Sequence, residues 1–138
     1  MATFSKSISV MTEKIHDFVN ITGYVQSCIS ESKIKEGVAF VNTMHVTSCI
    51  LLQEDDPSVH NDLTRTLEKI VPVDEDYEHN NEGNDNAAAH IKTNLLGSGI
   101  AIPIKGGKLL LGRWQQIFLA EMLEPREREV AITIMGEK

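Results

Sequence analysis

Three histidines in different parts of the chain could bind a metal ion or accept a proton: His45, His79 and His90. Three neutral imidazoles with an open fourth position match the ligand set of a catalytic zinc site. Their spacing is not that of a compact motif such as His-Glu-x-x-His, so each histidine keeps a simpler interpretation. His79 would be a surface residue of a loop, His90 a half-buried helix residue, and His45 a hydrogen-bonded residue in or beside a sheet.

His90 has a physical reason to stay uncharged. The stretch NAAAHIKTNLLG predicts a short helix with Asn86 as its N-cap and Gly97 at the C′ position. His90 would then lie in the first turn or just past it, where the positive end of the helix disfavours the imidazolium form. An uncharged imidazole can act as a metal ligand or a proton acceptor. The preceding stretch, YEHNNEGNDN, is predicted to be a polar connection that carries His79.

The remaining histidines and several carboxylates are weaker candidates. His16 and His60 are predicted to lie on the surface. Glu54, Asp62 and Glu82 could orient metal ligands or transfer protons. The alternative is that they only solvate the chain, as most acidic side chains do in a protein of net charge -7.

Two arginines and the only tryptophan could contact an anionic ligand. Arg126 and Arg128 are two residues apart, so an extended segment would place both guanidinium groups on one side, where they could clamp a phosphate or carboxylate. Surface ion pairs with neighbouring glutamates are the alternative. Trp114 could anchor the core or form the wall of a ligand pocket, and Gln115 would point to the opposite face.

Composition and motifs exclude several classes of function. The chain contains no P-loop, no Gly-x-Gly-x-x-Gly after a strand and no nucleophile elbow. A net charge of -7 disfavours nucleic acid and anionic membranes as partners. No apolar run approaches the roughly 20 residues that span a bilayer, and the N-terminus does not resemble a secretory signal. Cys28 and Cys49 form no Cys-x-x-Cys pair, so we expect reduced thiols in a cytosolic protein.

Hydrophobic patterning predicts which elements position these residues. Alternating or β-branched runs predict strands, and helical spacing predicts three helices. The first helix would be capped by Asn20 or Thr22 and ended by Gly37. The second would open at Pro57 or Ser58, with an apolar stripe of Val59, Leu63, Leu67 and Ile70. The predicted strands are TFSKSISVM, KIHDFVNIT, VAFVNTMHV, SCILLQE, two around Gly106-Gly107, WQQIFLAEM and REVAITIMG.

Interleaved strands and helices in 138 residues predict one α+β domain with a mostly antiparallel sheet or sandwich. Aromatic residues make up only 5% of the chain, so the core must be aliphatic. The strongly apolar C-terminal strands indicate a sheet that is buried on both faces, and another subunit is one candidate for the cover.

Five stretches, taken in order, resemble the YjbQ family: HVTSCILLQED, YEH, DNAAAHIKTNLLG, IPIKGGKLLLGRWQQIFLAE and EPRER. The resemblance covers essentially the whole chain. It implies one small α+β domain over residues 1–138, a YjbQ-like two-sheet, mostly antiparallel β-sandwich with a few helices, and assembly as a homotrimer around a threefold axis. It also implies thiamine-phosphate synthase activity, which joins a pyrimidine pyrophosphate to a thiazole phosphate and releases pyrophosphate.

The resemblance also implies roles for particular residues. The proposed metal ligands are His45, His79 and His90, and the proposed acid or base groups are Glu54 and Asp62. The proposed contacts to a small phosphorylated or anionic ligand are Thr47, Asn86, Trp114, Gln115, Arg126 and Arg128. Arg113 stands where the family more often has a small residue, which would add a cation to the pocket or narrow it.

The two kinds of metal chemistry conflict. A pyrophosphate substrate suits Mg²⁺, which bridges phosphate oxygens, whereas three imidazoles suit Zn²⁺. We therefore expect a divalent metal, with Zn²⁺ favoured by ligand type. The competing hypotheses are a metal-dependent enzyme, a non-catalytic trimer that binds a metal or phosphorylated metabolite, and histidines that only stabilise the fold or subunit contacts.

Overall fold

The computed structural model describes residues 1–138 and contains eight strands and three helices. The strands are β1 (Ala2–Met11), β2 (Phe18–Asn20), β3 (Glu36–Thr43), β4 (Ser48–Gln53), β5 (Gly99–Lys105), β6 (Lys108–Leu109), β7 (Gln116–Glu121) and β8 (Glu127–Glu137). The helices are α1 (Thr22–Ser32), α2 (Pro57–Ile70) and α3 (Asn84–Leu96). None of the helices is both long enough and apolar enough to cross a membrane.

The strands form two antiparallel sheets. The first sheet has the order β1-β8-β3-β5-β6, and the second has the order β2-β7-β4. Every strand pair is antiparallel, and the longest pairing joins the first strand to the last, from Ala2 opposite Gly136 to Met11 opposite Glu127. The predicted α+β fold with a mostly antiparallel two-sheet sandwich is therefore confirmed.

Two apolar clusters place the second sheet in the middle of the molecule. The larger cluster lies between the inner faces of the two sheets and includes Ile29 of α1, Ile117 of β7 and Ile132 of β8. The smaller cluster packs Leu67 of α2 and Ala89 of α3 against the opposite face of the second sheet. The prediction of a sheet buried on both faces therefore holds for the second sheet, which contains β7 and is covered by the first sheet on one face and by α2 and α3 on the other, whereas β8 belongs to the first sheet. Cys28 and Cys49 are both buried and unpaired.

Helix α2 follows its predicted boundaries closely. Asp56 caps it by accepting a 2.8 Å hydrogen bond from the Ser58 amide, and Pro57 occupies the first turn, where a missing N–H costs nothing. Leu67 of the predicted stripe is buried, but Ile70 is 62% exposed because the helix ends there. The hairpin at Gly106 and Gly107 is also confirmed, and both glycines have the positive φ that such a tight turn requires.

Three local predictions were wrong. Helix α1 ends at Ser32, where Lys33 takes the left-handed conformation, so Gly37 does not stop it. Its N-cap is Ile21, without a side-chain cap bond, although Asn20 Oδ1 accepts from the Thr22 amide at 3.0 Å. His45 lies in the connection after β3 and not inside a strand.

Gly37 lies where β3 and β8 approach each other closely. A β-carbon at Gly37 would lie 2.0 Å from the Met135 carbonyl oxygen, well inside van der Waals contact. The absence of a side chain therefore allows β3 to pair with the end of β8.

Gly37→Ala should destabilise the fold by about 1–3 kcal/mol, because the backbone of β8 must shift to make room. Urea unfolding measures the change in the free energy of unfolding. Gly23→Ala is the matched control, since a β-carbon there would meet nothing within 4 Å and the residue lies in α1. The control should be neutral or stabilising by up to about 1 kcal/mol. Equal destabilisation by both substitutions would contradict the claim that the close approach of β8 excludes a side chain at position 37.

Candidate functional site

Two of the three candidate histidines meet in one surface hollow. The rings of His79 and His90 stand edge to face, with 4.9 Å between their centroids and an angle of 89° between their planes. The hollow has a volume of about 280 Å³ and is also lined by Tyr77, Glu78, Ala87 and Ile91. The chain therefore presents a histidine pair across the junction of a loop and a helix.

Two hydrogen bonds, whose donors lie before and after His79 in the sequence, hold the loop that carries this residue. The Tyr77 hydroxyl donates to the Pro72 carbonyl oxygen, and the Asn84 amide donates to the Glu75 carbonyl oxygen at 2.8 Å. The Tyr77 bond lies within the connection, and the Asn84 bond holds the connection against the start of α3, which carries His90. The polar connection that carries His79 therefore has a fixed conformation next to His90.

The prediction that His90 lies close to the start of its helix was wrong. Helix α3 begins at Asn84 with Gly83 as its N-cap, three residues earlier than predicted. His90 therefore lies in the second turn, beyond the first turn in which the helix dipole acts strongly. Asn86 is not the N-cap, and its Oδ1 is the one buried side-chain oxygen or nitrogen without a hydrogen-bond partner. The helix does end at Gly97, as predicted.

His45 lies in a different hollow, with Ser7, Ser9, Glu127 and Glu129. Its Nε2 accepts a 2.9 Å hydrogen bond from the Glu129 amide. Burial, and then the nearby charges of Arg128 and Arg126, lower the pKa of His45. A neutral ring that accepts at Nε2 carries its proton on Nδ1, so neither nitrogen has a free lone pair for a metal.

The single chain does not assemble the predicted three-histidine ligand set. No group of three or more histidine, cysteine, aspartate or glutamate side chains is placed to hold a metal ion. His79 and His90 are adjacent, whereas His45 is already hydrogen-bonded in another hollow. The intrachain site therefore supplies two imidazoles and not three.

The predicted arginine clamp is replaced by a buried ion pair. Arg128 is 1% exposed and pairs with Glu121, which is 0% exposed. Arg128 Nε donates to Glu121 Oε1 at 2.7 Å, and Nη2 donates to the other carboxylate oxygen. Arg126 points outward to Glu124. The convergence of the two guanidinium groups was wrong because β8 buries Arg128, while Arg126 lies before the strand begins.

Further polar groups of the chain hydrogen-bond to this buried ion pair. Thr47 accepts from Arg128 Nη2 through its hydroxyl and its carbonyl oxygen, at 3.0 and 3.1 Å. Burial alone would raise the pKa of Glu121, but hydrogen bonds from Arg128, from the Leu123 amide and from Thr12 outweigh it and lower the pKa. Thr47, expected to contact a ligand, is instead part of this internal network.

The remaining candidates lie on the surface. Asp62 pairs with Arg65 on α2, and both side chains are largely exposed. Glu54 and Glu82 are exposed. None of these three carboxylates lines a hollow that contains a histidine. The acid or base role for Glu54 and Asp62 therefore has no geometric support within one chain.

Trp114 is not a core anchor, because it is 62% exposed. The Arg113 guanidinium lies 4.9 Å from the centroid of its ring, a cation–π distance. Gln115 Oε1 accepts from the Gly112 amide at 2.8 Å and so stabilises the turn before β7. Arg113 and Trp114 form an exposed pair that could still contact a ligand or another chain.

The two histidines predicted to lie on the surface are partly or fully buried. His60 stacks on Phe18 with 4.6 Å between ring centroids, and its Nε2 lies 3.3 Å from Asp55. His16 is 8% exposed, and its Nε2 lies 3.1 Å from Nζ of Lys92, which is 2% exposed. Helical spacing could have revealed Lys92, because it lies one turn after Ala88 on the buried face of α3.

The fold defines a small α+β protein in which a two-sheet antiparallel sandwich carries α2 and α3 on one outer face. The chain belongs to the YjbQ family, since residues 6–137 match the family described as UPF0047 protein YjbQ-like. The resemblance seen in its sequence blocks is therefore confirmed.

Relatives and solved structures agree with this assignment. A UPF0047 protein of Methanocaldococcus jannaschii is 44% identical over 130 residues, which cover 94% of this chain and 92% of that protein. YjbQ of Salmonella typhimurium is 33% identical over 130 residues, covering 92% and 94%. A crystal structure from Sulfolobus solfataricus, described as a YbjQ-like protein of unknown function, superposes with a TM-score of 0.93 at 31% identity and covers 99% of both chains. A YjbQ/UPF0047 structure from Clostridium acetobutylicum has a TM-score of 0.89 at 38% identity, covering 94% of this chain and 99% of that one.

The buried His16 makes stability depend on pH in a defined window. Burial, and then the charge of Lys92, lower the pKa of His16 from 6.5 to about 4. The unfolded chain therefore takes up a proton as the pH falls below about 6.5, whereas the folded chain does so only near pH 4. The stabilising contribution is present above pH 6.5 and is lost on acidification through this range, by up to about 3 kcal/mol.

His16→Asn should remove this component, because asparagine tolerates the left-handed backbone, with φ of 56°, but does not titrate. Urea unfolding of both proteins at several pH values between 7 and 4 gives the free energies of unfolding. As the pH falls, the free energy of unfolding of the wild type should decrease more steeply than that of the variant. Parallel curves would show that the folded protein protonates His16 as readily as the unfolded chain does.

Proposed function

We propose that this protein binds a divalent transition metal through His79 and His90, and that the metal holds a small anionic ligand. The observation that carries the proposal is the edge-to-face pair of imidazole rings, 4.9 Å apart, in a shared hollow. Imidazole nitrogens favour Zn²⁺ over Mg²⁺, which prefers oxygen ligands. Zn²⁺ is therefore the metal we propose.

The residues of one chain fit only part of a zinc coordination sphere. Zinc is usually four-coordinate, and a catalytic site supplies three protein ligands. Two imidazoles leave two further positions for water, for an oxygen of a phosphorylated or carboxylate ligand, or for a group from a second copy. His45 could be that group only by releasing the Glu129 amide, to which it is hydrogen-bonded.

Zinc titration of metal-free protein, purified without a histidine tag, tests the site. Wild-type protein should bind Zn²⁺ and unfold at a higher temperature when it is present, because the ion binds only the folded pair. His79→Ala and His90→Ala should each weaken binding at least about 10-fold, since each removes a direct ligand.

His45→Ala is the comparison variant. Unchanged Zn²⁺ affinity would assign the site to His79 and His90 alone, whereas a loss as large as in His90→Ala would identify His45 as a third ligand from another copy. Zinc binding that is equally strong in the wild type and in His90→Ala would contradict the proposal.

We also propose that the protein is a homotrimer assembled through the outer face of the first sheet. A sheet face that meets water normally carries polar side chains, and many of these are charged. The register of β1, β8, β3 and β5 aligns three rows of uncharged residues in the middle of the face opposite the core, and charged residues such as Glu36 and Glu129 lie only at the ends of these strands. The uncharged residues are Thr3, Ser5, Ser7, Val38, Phe40, Asn42, Gly99, Ala101, Pro103, Ala131, Thr133 and Met135.

Sedimentation velocity tests this assembly. The wild-type chain should sediment as a trimer, and Thr133→Arg should yield smaller species, because it places a charge at the centre of the uncharged face. Ser30→Arg adds the same charge on the exposed side of α1 and should leave the trimer intact. A wild-type monomer, or equal dissociation by both substitutions, would contradict the assembly.

The reaction that we propose for the site is thiamine-phosphate synthesis, in which the metal-bound anion is the phosphorylated substrate. The support is the family resemblance together with a histidine hollow open to solvent. The alternative is a trimer that binds a metal or phosphorylated metabolite without turnover. The two differ only in whether the bound ligand reacts.

Rescue of a strain that lacks its own thiamine-phosphate synthase separates these alternatives. An active enzyme should restore growth without thiamine, and His90→Ala should abolish the rescue. Failure of the wild type to rescue, with zinc binding intact, would favour the non-catalytic protein. Rescue by His90→Ala that equals the wild type would remove the histidine pair from the reaction.

A further inference from the structure

A third hollow lies between the β1–β2 connection and helix α2, and the proposed metal site does not use it. Its volume is about 200 Å³. The stacked rings of Phe18 and His60 contribute to its wall, and His16 lines it as a largely buried residue. Aromatic side chains beside a few convergent polar groups are one feature of small-ligand sites.

The orientation of His16 makes it a hydrogen-bond donor toward this hollow. Lys92 Nζ can only donate, so Nε2 of His16 accepts their 3.1 Å hydrogen bond. The neutral ring then carries its proton on Nδ1. No group of the chain accepts from Nδ1, and this atom is not among the buried atoms that lack a partner. The Nδ1–H is therefore open to the hollow.

The buried Lys92 adds a positive charge close to the hollow. Lys92 is 2% exposed and forms no ion pair, although an ammonium group is rarely buried without a carboxylate. Its hydrogen bond to His16 is the only one that its side chain makes. Glu68 is the carboxylate whose charge acts on both His16 and Lys92, and it is exposed on α2, where solvent screens it.

The rim adds further free donors. Lys14 lines the hollow, is exposed and forms no ion pair. The side chains of Asn61 and Thr64 also line it and make no hydrogen bond within the chain. The one carboxylate in the lining is Asp17, which already accepts from the Glu13 amide at 2.9 Å.

We propose that this hollow binds the oxyanion group of a small metabolite, a carboxylate or a phosphate, through His16 Nδ1–H and the Lys14 ammonium. Asn61 and Thr64 supply neutral donors at the rim, and the Phe18–His60 wall contacts the uncharged part of the ligand. The burial-lowered pKa of His16, about 4, keeps the ring in the neutral form that this geometry requires at pH 7. The bound anion would also offset the isolated charge of Lys92.

Titration of the full-length, metal-free protein with inorganic phosphate, and separately with acetate, tests the site. Proton–nitrogen NMR of the imidazole groups reports binding, and the His16 signals are assigned by their absence in His16→Asn. At least one anion should shift the His16 signals with a saturable curve. Saturation by phosphate alone assigns a phosphate ligand, and saturation by acetate alone assigns a carboxylate.

Lys14→Ala should weaken this binding about fivefold or more, because it removes a charge-assisted donor. Lys69→Ala is the matched control, since this lysine is exposed on α2 outside the hollow, and it should leave the affinity unchanged. Asp17→Asn should tighten binding by removing the one negative charge in the lining. His90→Ala should bind as the wild type does, because it alters only the proposed metal site.

The proposal is overturned if neither anion shifts the His16 signals to saturation. It is equally overturned if Lys14→Ala and Lys69→Ala bind alike. Loss of anion binding in His90→Ala would show that the anion binds at the proposed metal site and not in this hollow. This conclusion does not depend on whether the protein binds zinc.

Discussion

The buried pair of Glu121 and Arg128 is the constraint on which the sandwich depends. Glu121 ends β7 in the second sheet and Arg128 belongs to β8 in the first, so their two-point hydrogen bonding joins the sheets through the interior. Burying two opposite charges is costly unless every polar atom finds a partner. Thr12 and Thr47 add hydrogen bonds to the pair, and the Leu123 amide donates to the carboxylate at 3.0 Å.

This pair also sets which residues of β8 face inward. With Arg128 turned into the core, alternation places Val130, Ile132 and Ile134 on the buried side. Of the intervening residues, Ala131 and Thr133 belong to the uncharged rows of the outer face, whereas Glu129 presents its amide to His45. One buried ion pair thus links the register of the longest strand, the proposed subunit surface and the conformation of His45.

Much of the fold could be predicted from the sequence, because its signals are local. The proline that opens α2, the Gly106-Gly107 turn and the alternation of β1 each follow from a short stretch. Arg128 could not be placed, since its partner Glu121 is on another strand and only tertiary packing reveals the pair. The left-handed backbone of His16 and its contact with Lys92, 76 residues away, leave no local signal either. The pairing of His79 with His90 was predicted only with help from the family resemblance. His45 does not join them, because it lies in another hollow and its Nε2 is hydrogen-bonded to the Glu129 amide.

The central claim is that His79 and His90 form the metal site of this protein. It is tested most directly by a crystal structure of the zinc-soaked protein, with anomalous diffraction collected on either side of the zinc edge. The account predicts an anomalous peak in the hollow between these rings, about 2.0–2.1 Å from one nitrogen of each. A well-occupied zinc site elsewhere in the chain, with no peak between His79 and His90, would contradict it.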